Sequence, residues 1–512
     1  MNFVKRTLTN VTSIWLNKVV TILTSIVLVP ILLSALGKYD YGLWVTLGQG
    51  ISMLALLDMG VANSVCRFVA RAEALHDEVD KSGIYSTSLL IFFLVFVLII
   101  AIVVVLVYFI PNLLNIQEDR CQVTRVLFLG LGFRVAITFP LRVGRGLLQA
   151  KYRYDYIEFV NLVFTILKFA LLLICYNYWH INLYILCAVD IFFNLWIEWR
   201  LFRKGYKLNP ELRFSMKLIN RSRCQRLFSL GFSSVMQTMA GMFSSRGFLL
   251  AIGIISGMAA VPIFAIPNTL LTRLGSMFGR LGGSFMPIAS MADAKGESAK
   301  IIQLSIYGFK YSLLIGLAVG GYLVVYGRDL IFLWLPAATV SSADNERIFL
   351  ALLIMLFPLI LSRASMCNRT ILRATGHHWM VSNTLTVFGA IGLGAGVLLM
   401  QCSTLGVLGA AIGWSISPCI LEGIIFPLIV SKKYNVSFFQ YIKRVICVPL
   451  ILFLIIATVN WCFYQWLQYG NDVICFILGT FVYGLIAVAG ILFFGVEKEH
   501  SRKIRQALCN RD

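Results

Sequence analysis

Apolar runs of about 20 residues recur from one end of this chain to the other, the length an α-helix needs to cross a hydrocarbon layer ~30 Å thick. They fall near residues 11–36, 41–65, 84–110, 125–148, 156–178, 181–200, 227–256, 261–291, 304–326, 348–373, 379–400, 405–430, 442–467 and 473–494. With 59% hydrophobic residues, 13% charged residues and a mean hydropathy of +0.84, the 512-residue chain excludes a soluble domain. The expected fold is an all-α polytopic membrane protein of about 14 transmembrane helices. A cleavable signal peptide is not expected: Lys5 and Arg6 precede a first span that contains Pro30 and has no small-residue cleavage site after it.

Orientation follows from Lys and Arg, which cytoplasmic connections retain. With the N-terminus inside, that side collects Lys5, Arg6, Arg67, Arg71, Lys81, Lys151, Arg153, the basic run 200–226, Lys295, Lys300, Lys432, Lys433, Lys443, Arg444 and the tail from Lys498. The other side keeps Lys38, Arg120, Arg125, Arg328 and Arg347. Both termini are therefore expected inside, and the net charge of +21 reflects topology rather than nucleic acid binding. The twelve cysteines are scattered, with no CxxC pair and no histidines at ligand spacing. They read as small buried hydrophobes, and no metal, redox centre or other cofactor is expected.

The longest cytoplasmic connection, Arg200 to Arg226, is basic, contains Pro210 and separates six spans from the rest. Two internal matches point to a repeat. "GKYDYGLW" from Gly37 pairs with "GMAAVPIF" from Gly257, and "RGLLQA" from Arg145 pairs with "RTILRA" from Arg369, at separations of 220 and 224 residues. The expected organisation is a six-helix lobe over 1–200, a basic linker over 201–226, a second six-helix lobe over 227–430, an extra transmembrane pair over 431–496 and a basic tail over 497–512. Six spans return the chain to its starting side, so the lobes are parallel repeats with a substrate path between them.

Basic residues inside the apolar runs are Lys18, Arg134, Lys168, Arg246, Arg273, Arg280, Lys310 and Arg363, whereas the clearest acids are Asp58, Asp190 and Glu422. Each base costs ~2.5–3.5 kcal/mol near the bilayer centre, so these side chains face protein or water. The surplus of positive charge calls for an anionic guest or a wet cavity. Within "NTLLTRLGSMFGRLGG", Arg273 and Arg280 are seven residues apart and share one helix stripe with Thr269, Thr272 and Ser276. Span seven carries Ser234, Gln237, Gly241 and Ser244 or Ser245 on one face, and span one carries Asn10, Ser13, Asn17, Thr21 and Thr24.

These stripes line a cavity or glue helices together. Arg246 points away from the Gln237 face, and its role is open. Lys18, Lys310 and Arg280 either snorkel to the inner boundary or face the cavity. Arg134, Lys168 and Asp190 form either a structural charge cluster or a ligand contact. Asp58, followed by Gly60 and Asn63, either binds a coupling proton or cation or pairs with an arginine.

"LGKYDYGLW" (Leu36 to Trp44), "LLDMGVANS" (Leu56 to Ser64), "RGLLQAKYRY" (Arg145 to Tyr154) and "LRATGHH" (Leu372 to His378) give the chain its resemblance to the multidrug/oligosaccharidyl-lipid/polysaccharide (MOP) flippase superfamily. Within it the chain resembles the polysaccharide-export branch of Wzx-type O-antigen flippases. The resemblance implies a transporter of the bacterial cytoplasmic (inner) membrane that works by alternating access. Its implied cargo is an O-antigen, capsule or exopolysaccharide repeat unit on an undecaprenyl-pyrophosphate-type lipid, with membrane lipids and a polysaccharide polymerase or chain-length machinery as partners. Arginine suits such a head group because it forms bidentate, charge-assisted hydrogen bonds to phosphate.

On this reading the candidate cargo-binding residues are Arg273, Arg280, Thr269, Ser276, Gln237, Asn17, Lys18 and Arg246, with Asp58 for the coupling ion. Many sugar-lipid flippases have about twelve spans, so the extra pair departs from that pattern; it either forms a groove for the lipid tail or packs on the second lobe. Two other functions compete. A membrane-embedded polymerase or glycosyltransferase needs a sizeable external domain, and the longest external connection, 327–347, is too short for one. An ion-coupled multidrug exporter of the same fold binds cations, which the surplus of buried bases opposes.

Overall fold

The computed structural model describes residues 3–58, 61–227, 239–278, 285–467, 472–491 and 495, and every regular element among them is a helix. In a hydrocarbon layer each backbone N–H and C=O must be satisfied within the protein, which a helix achieves inside its own segment. By length and composition, ten stretches among the described residues suit a membrane span. The chain divides into two compact units, Met1–Pro262 and Ile263–Asp512.

The first unit begins with α1 (Phe3–Met53), interrupted at Gly37, whose left-handed φ of 77° a residue with a β-carbon avoids. The expected spans 11–36 and 41–65 are thus joined through one glycine rather than a loop. A 3₁₀ turn (Leu54–Asp58) precedes α2 (Val61–Ala74), α3 (Glu78–Leu113), α4 (Cys121–Ala150), α5 (Tyr154–Tyr178) and α6 (Leu183–Lys207). From Leu89 onward helix α3 is apolar all round because one side packs through Phe92, Ile99 and Val103 while Phe93, Leu94, Val97, Tyr108 and Phe109 stay exposed, as lipid contact requires. Gly144 on α4 and Gly205 on α6 bring two backbones together: a β-carbon on Gly205 would lie 2.6 Å from the Gly144 carbonyl oxygen. Gly205→Leu is expected to cost at least the ~1–3 kcal/mol of overpacking, read as a lower melting temperature and less monodisperse protein in detergent.

The basic connection after α6 is stapled to α3. Arg223 Nε meets Asp80 at 2.9 Å, and the Ser215 amide donates to Ser86 Oγ at 3.0 Å. Lys81, itself buried, pairs with both Glu211 and Glu73, and Lys151 also pairs with Glu73. Burial pushes the Glu73 and Glu211 carboxyls up, but hydrogen bonds and charge from Lys81 and Lys151 outweigh it and hold both below the ordinary glutamate range. A carboxyl depressed in this way stabilises the fold above its unfolded value and loses that contribution as pH falls through the folded one. Amide exchange across 208–226, corrected for intrinsic rates, is therefore expected to rise relative to α3 below about pH 4. In Lys81→Met that extra rise should shrink.

Residues beyond this connection also pack on the first unit. A π turn (Met242–Arg246), α7 (Gly247–Ile255) and a 3₁₀ turn (Met258–Ala260) lie along the second half of α1. Gly42 faces the Met258 carbonyl with no room for a β-carbon, Thr46 touches Gly253, and Asn115 Nδ2 donates to Ile254 O at 3.2 Å. Packing thus groups this part of the expected 227–430 lobe with the first unit.

The second unit holds most of α8 (Val261–Phe278), then α9 (Met286–Ala294), α10 (Ser298–Trp334), α11 (Ser342–Ala364), α12 (Met366–Ala374), α13 (His378–Cys402) and α14 (Val407–Ile420). A π turn (Leu421–Ile425), α15 (Phe426–Lys433), α16 (Phe438–Leu467) and α17 (Asp472–Gly490) follow. The last two helices, in the expected extra pair, pack on α10. Tyr441 on α16 bonds Ser305 at 2.7 Å and donates to Asn368 at 3.0 Å, and Tyr483 on α17 donates to Ala318 O at 2.5 Å.

Turns and ion pairs recur at the offset found in the sequence. Left-handed backbone occurs at Gly37 and Gly257, His76 and Gly296, Tyr152 and Gly376, and His180 and Gly406, pairs separated by 220, 220, 224 and 226 residues. Arg145 pairs with Glu198 at 2.7 Å, and 224 residues later Arg369 pairs with Glu422 at 3.2 Å. Two short sequence matches thus fall among five features that recur at this offset.

Candidate functional site: buried arginines and their counter-charges

In the first unit the intramembrane bases Arg134 and Lys168 find an acid. Asp190 on α6 receives Lys168 Nζ of α5 at 2.6 Å and Arg134 Nε of α4 at 3.2 Å, and Asn194 Nδ2 also donates to it at 3.1 Å. Arg145 meets Glu198, and Arg142 approaches Asp58 at 3.7 Å. The structure therefore brings Arg134, Lys168 and Asp190 into one cluster. It also sets a guanidinium beside Asp58, the acid singled out for coupling.

Span one uses its polar stripe against α5. Asn10 caps the start of that helix, accepting from the Asp155 amide at 2.7 Å and donating to Tyr152 O at 3.3 Å. Asn17 Nδ2 donates to Glu158, and the Thr21 and Thr24 hydroxyls bond their own helix's carbonyls. Lys18, next to Asn17, is half-buried. Arg246, left open by its sequence position, donates to Ser52 O at 2.8 Å, next to the C-terminus of α1 where free carbonyls attract positive charge. The π turn that ends at Arg246 was not legible in the sequence, so neither was this contact.

Helix α8 presents a different surface. Thr269, Arg273 and Ser276 are partly exposed along one side, while Leu270, Leu271 and Gly275 are buried on the other. Ser276 Oγ donates to Arg273 O at 2.7 Å, which leaves the guanidinium uninvolved in that bond. Among the described residues Arg273 has no carboxylate partner. Arg280 and Gln237 lie outside the described residues, as do Ser234 and Gly60.

Gly275, on the buried side, leaves room for Arg363 of α11: its β-carbon would sit 3.2 Å from Arg363 Nε. Helix α11 ends at Ala364, the chain turns at Ser365, and α12 carries Arg369 and Arg373. All three arginines act on one carboxylate, Glu422, which is 2% exposed in the π turn after α14. Arg369 Nε makes the close contact with Glu422, and its NH2 group donates to Ser362 O at 2.9 Å. The Nε atoms of all three arginines are buried without a hydrogen-bond partner.

Counted from the Arg145/Arg369 anchor, Phe139 and Gln149 stand in the first repeat where Arg363 and Arg373 stand in the second. One carboxylate answers one guanidinium in the first repeat and three in the second. Sequence alone marked Arg363, Arg369 and Glu422 separately and did not show their meeting. The usable signal was spacing, since Arg145 to Glu198 and Arg369 to Glu422 both span 53 residues. Guanidiniums with unused donors and too few carboxylates suit an oxyanion, which accepts two parallel N–H bonds from each fork.

A family profile described as "Polysaccharide biosynthesis protein" matches residues 7–292. No curated protein sequence matches the chain. Among solved structures, the lipid II flippase MurJ in an inward closed conformation is similar at a TM-score of 0.69 and 12% identity, over 95% of this chain and 98% of that one. An inward-facing multidrug resistance MATE family transporter of the MOP superfamily is similar at 0.64 and 16% identity, over 82% and 94%. A MOP superfamily transporter from Pyrococcus furiosus, described as having reverse polarity of its binding pocket, is similar at 0.55 and 14% identity, over 83% and 95%.

Proposed function

The chain belongs to the polysaccharide biosynthesis family of the MOP superfamily, and from that premise we propose that it is a flippase for a polyprenyl-diphosphate-linked oligosaccharide. The observation that carries this reading is the surplus of guanidinium in the second unit, where Arg363, Arg369 and Arg373 act on the one carboxylate of Glu422 and Arg273 has no carboxylate partner among the described residues. An anionic head group balances that surplus, whereas a cationic drug adds to it. The lipid II cargo named for the similar flippase is of the same lipid-linked saccharide class. The family resemblance adds the inner membrane of a bacterium and movement from the cytoplasmic to the outer leaflet.

Depleting the protein from cells is expected to stop delivery of the repeat unit to the cell surface and to build up its lipid-linked form facing the cytoplasm. Unchanged surface polysaccharide together with lost resistance to cationic drugs would instead support the multidrug exporter. The orientation is tested separately. Reporter fusions ending at Asn209 and at the C-terminus should both report the cytoplasm, because the basic connections would then lie inside. An external signal from either would overturn the lobe assignment.

A further inference from the structure

We propose that Glu422 is an exchangeable counter-ion, and that it competes with a phosphate-type oxyanion for Arg363, Arg369 and Arg373. The inference rests on the proposed anionic cargo and adds the residues that would hold its charged group.

Three observations converge on this cluster. First, the equivalent pair in the first repeat, Arg145 and Glu198, shows what a plain structural link needs: one guanidinium and one carboxylate, with Phe139 and Gln149 in the flanking places. Arg363 and Arg373 exceed that need. Second, Glu198 sits in the continuous helix α6, whereas Glu422 sits in a π turn, a wide and locally unfavourable turn that recurs at functional sites. Third, the exposure is graded. Glu422 is 2% exposed and Arg369 17%, and Arg363 and Arg373 are likewise less buried as residues than the carboxylate they surround, with all three Nε atoms enclosed. Ser365 lies against Glu422, and Glu422 is the carboxylate that acts on Arg363 and Arg373.

A carboxylate and a phosphate oxygen accept the same N–H forks, so each weakens the hold of the other. The test uses the purified full chain in nanodiscs of phosphatidylcholine, titrated with inorganic pyrophosphate in a calorimeter. Glu422→Gln keeps the shape and removes the competing charge, and it is expected to tighten pyrophosphate binding at least tenfold. Arg373→Gln should weaken it at least tenfold, and Glu198→Gln should change it less than twofold. Should Glu422→Gln fail to fold, Glu422→Asp keeps the charge but withdraws it from Arg369, and a smaller tightening is expected.

Folded Glu422 variants that bind pyrophosphate no more tightly than the unaltered protein would overturn the proposal and make Glu422 a structural link. Repeating the titration with phosphatidylglycerol in the disc separates the sources of the oxyanion. Loss of pyrophosphate binding there supports the site and assigns it to lipid headgroups, while unchanged binding supports it as a cargo site. If depletion stops surface delivery but pyrophosphate does not bind, this site fails and the flippase reading stands. If pyrophosphate binds as expected but depletion leaves surface delivery unaffected, the site stands and the flippase reading fails.

Discussion

Asp190→Ala is expected to leave almost no folded protein in the membrane. Asp190 is the shared counter-charge of Arg134 and Lys168, which reach it from two other helices at 3.2 and 2.6 Å. Removing one partner of a buried pair costs about 3–5 kcal/mol, because the remaining charge is left uncompensated, and here two charges are left. A native domain has only about 5–15 kcal/mol in hand. Asp190 is 14% exposed, which places the loss toward the lower end per charge but does not remove it. Replacing all three with apolar residues, Arg134→Met, Lys168→Met and Asp190→Leu, should restore much of the folded protein, since a buried ion cluster and a packed apolar one are often of similar stability. Fluorescence-detected size-exclusion chromatography reads both results. Normal yields of Asp190→Ala would mean that water, not Asp190, compensates the two bases.

Arg273→Ala is expected to behave in the opposite way, with normal protein levels and a large loss of transport. Arg273 has no carboxylate to leave stranded among the described residues, so truncation creates no unpaired buried partner. A hydrogen bond to a charged group contributes about 1.5–3 kcal/mol, so losing one from cargo binding lowers transport at sub-saturating cargo roughly 10- to 100-fold. Lysine keeps the charge but not the planar fork, and Arg273→Lys should retain an intermediate rate. Equal surface delivery by the unaltered, Ala and Lys forms, at matched protein levels, would leave the α8 stripe as helix packing.

What the sequence revealed and what it hid divide along a physical line. Spans and repeat were legible because they depend on local composition: a helix needs its apolar length, and a left-handed turn needs a tolerant residue such as Gly37 or Gly257. Charge pairing was not, because it depends on which helices meet. Asn10, Asn17 and Thr21 had the spacing of a cavity wall, yet their bonds serve α5 and α1 itself. Arg246 reaches the Ser52 carbonyl through a π turn that regular helical spacing does not show. The three-to-one cluster on Glu422 was scattered over residues 363–422 and gathers only through the break at Ser365 and the turn at Leu421.

Transport of the cargo can be followed with purified protein in liposomes carrying a fluorescent polyprenyl-diphosphate disaccharide, quenched from outside by a membrane-impermeant reductant. The unaltered protein should expose the inner-leaflet pool over time, and Arg273→Ala should slow that exposure at least tenfold. A phosphate-free glycolipid of the same length should move poorly with either protein. Equal movement of the phosphate-free lipid and the diphosphate lipid, or no movement of either beyond protein-free liposomes, would contradict a flippase that grips its cargo by the diphosphate.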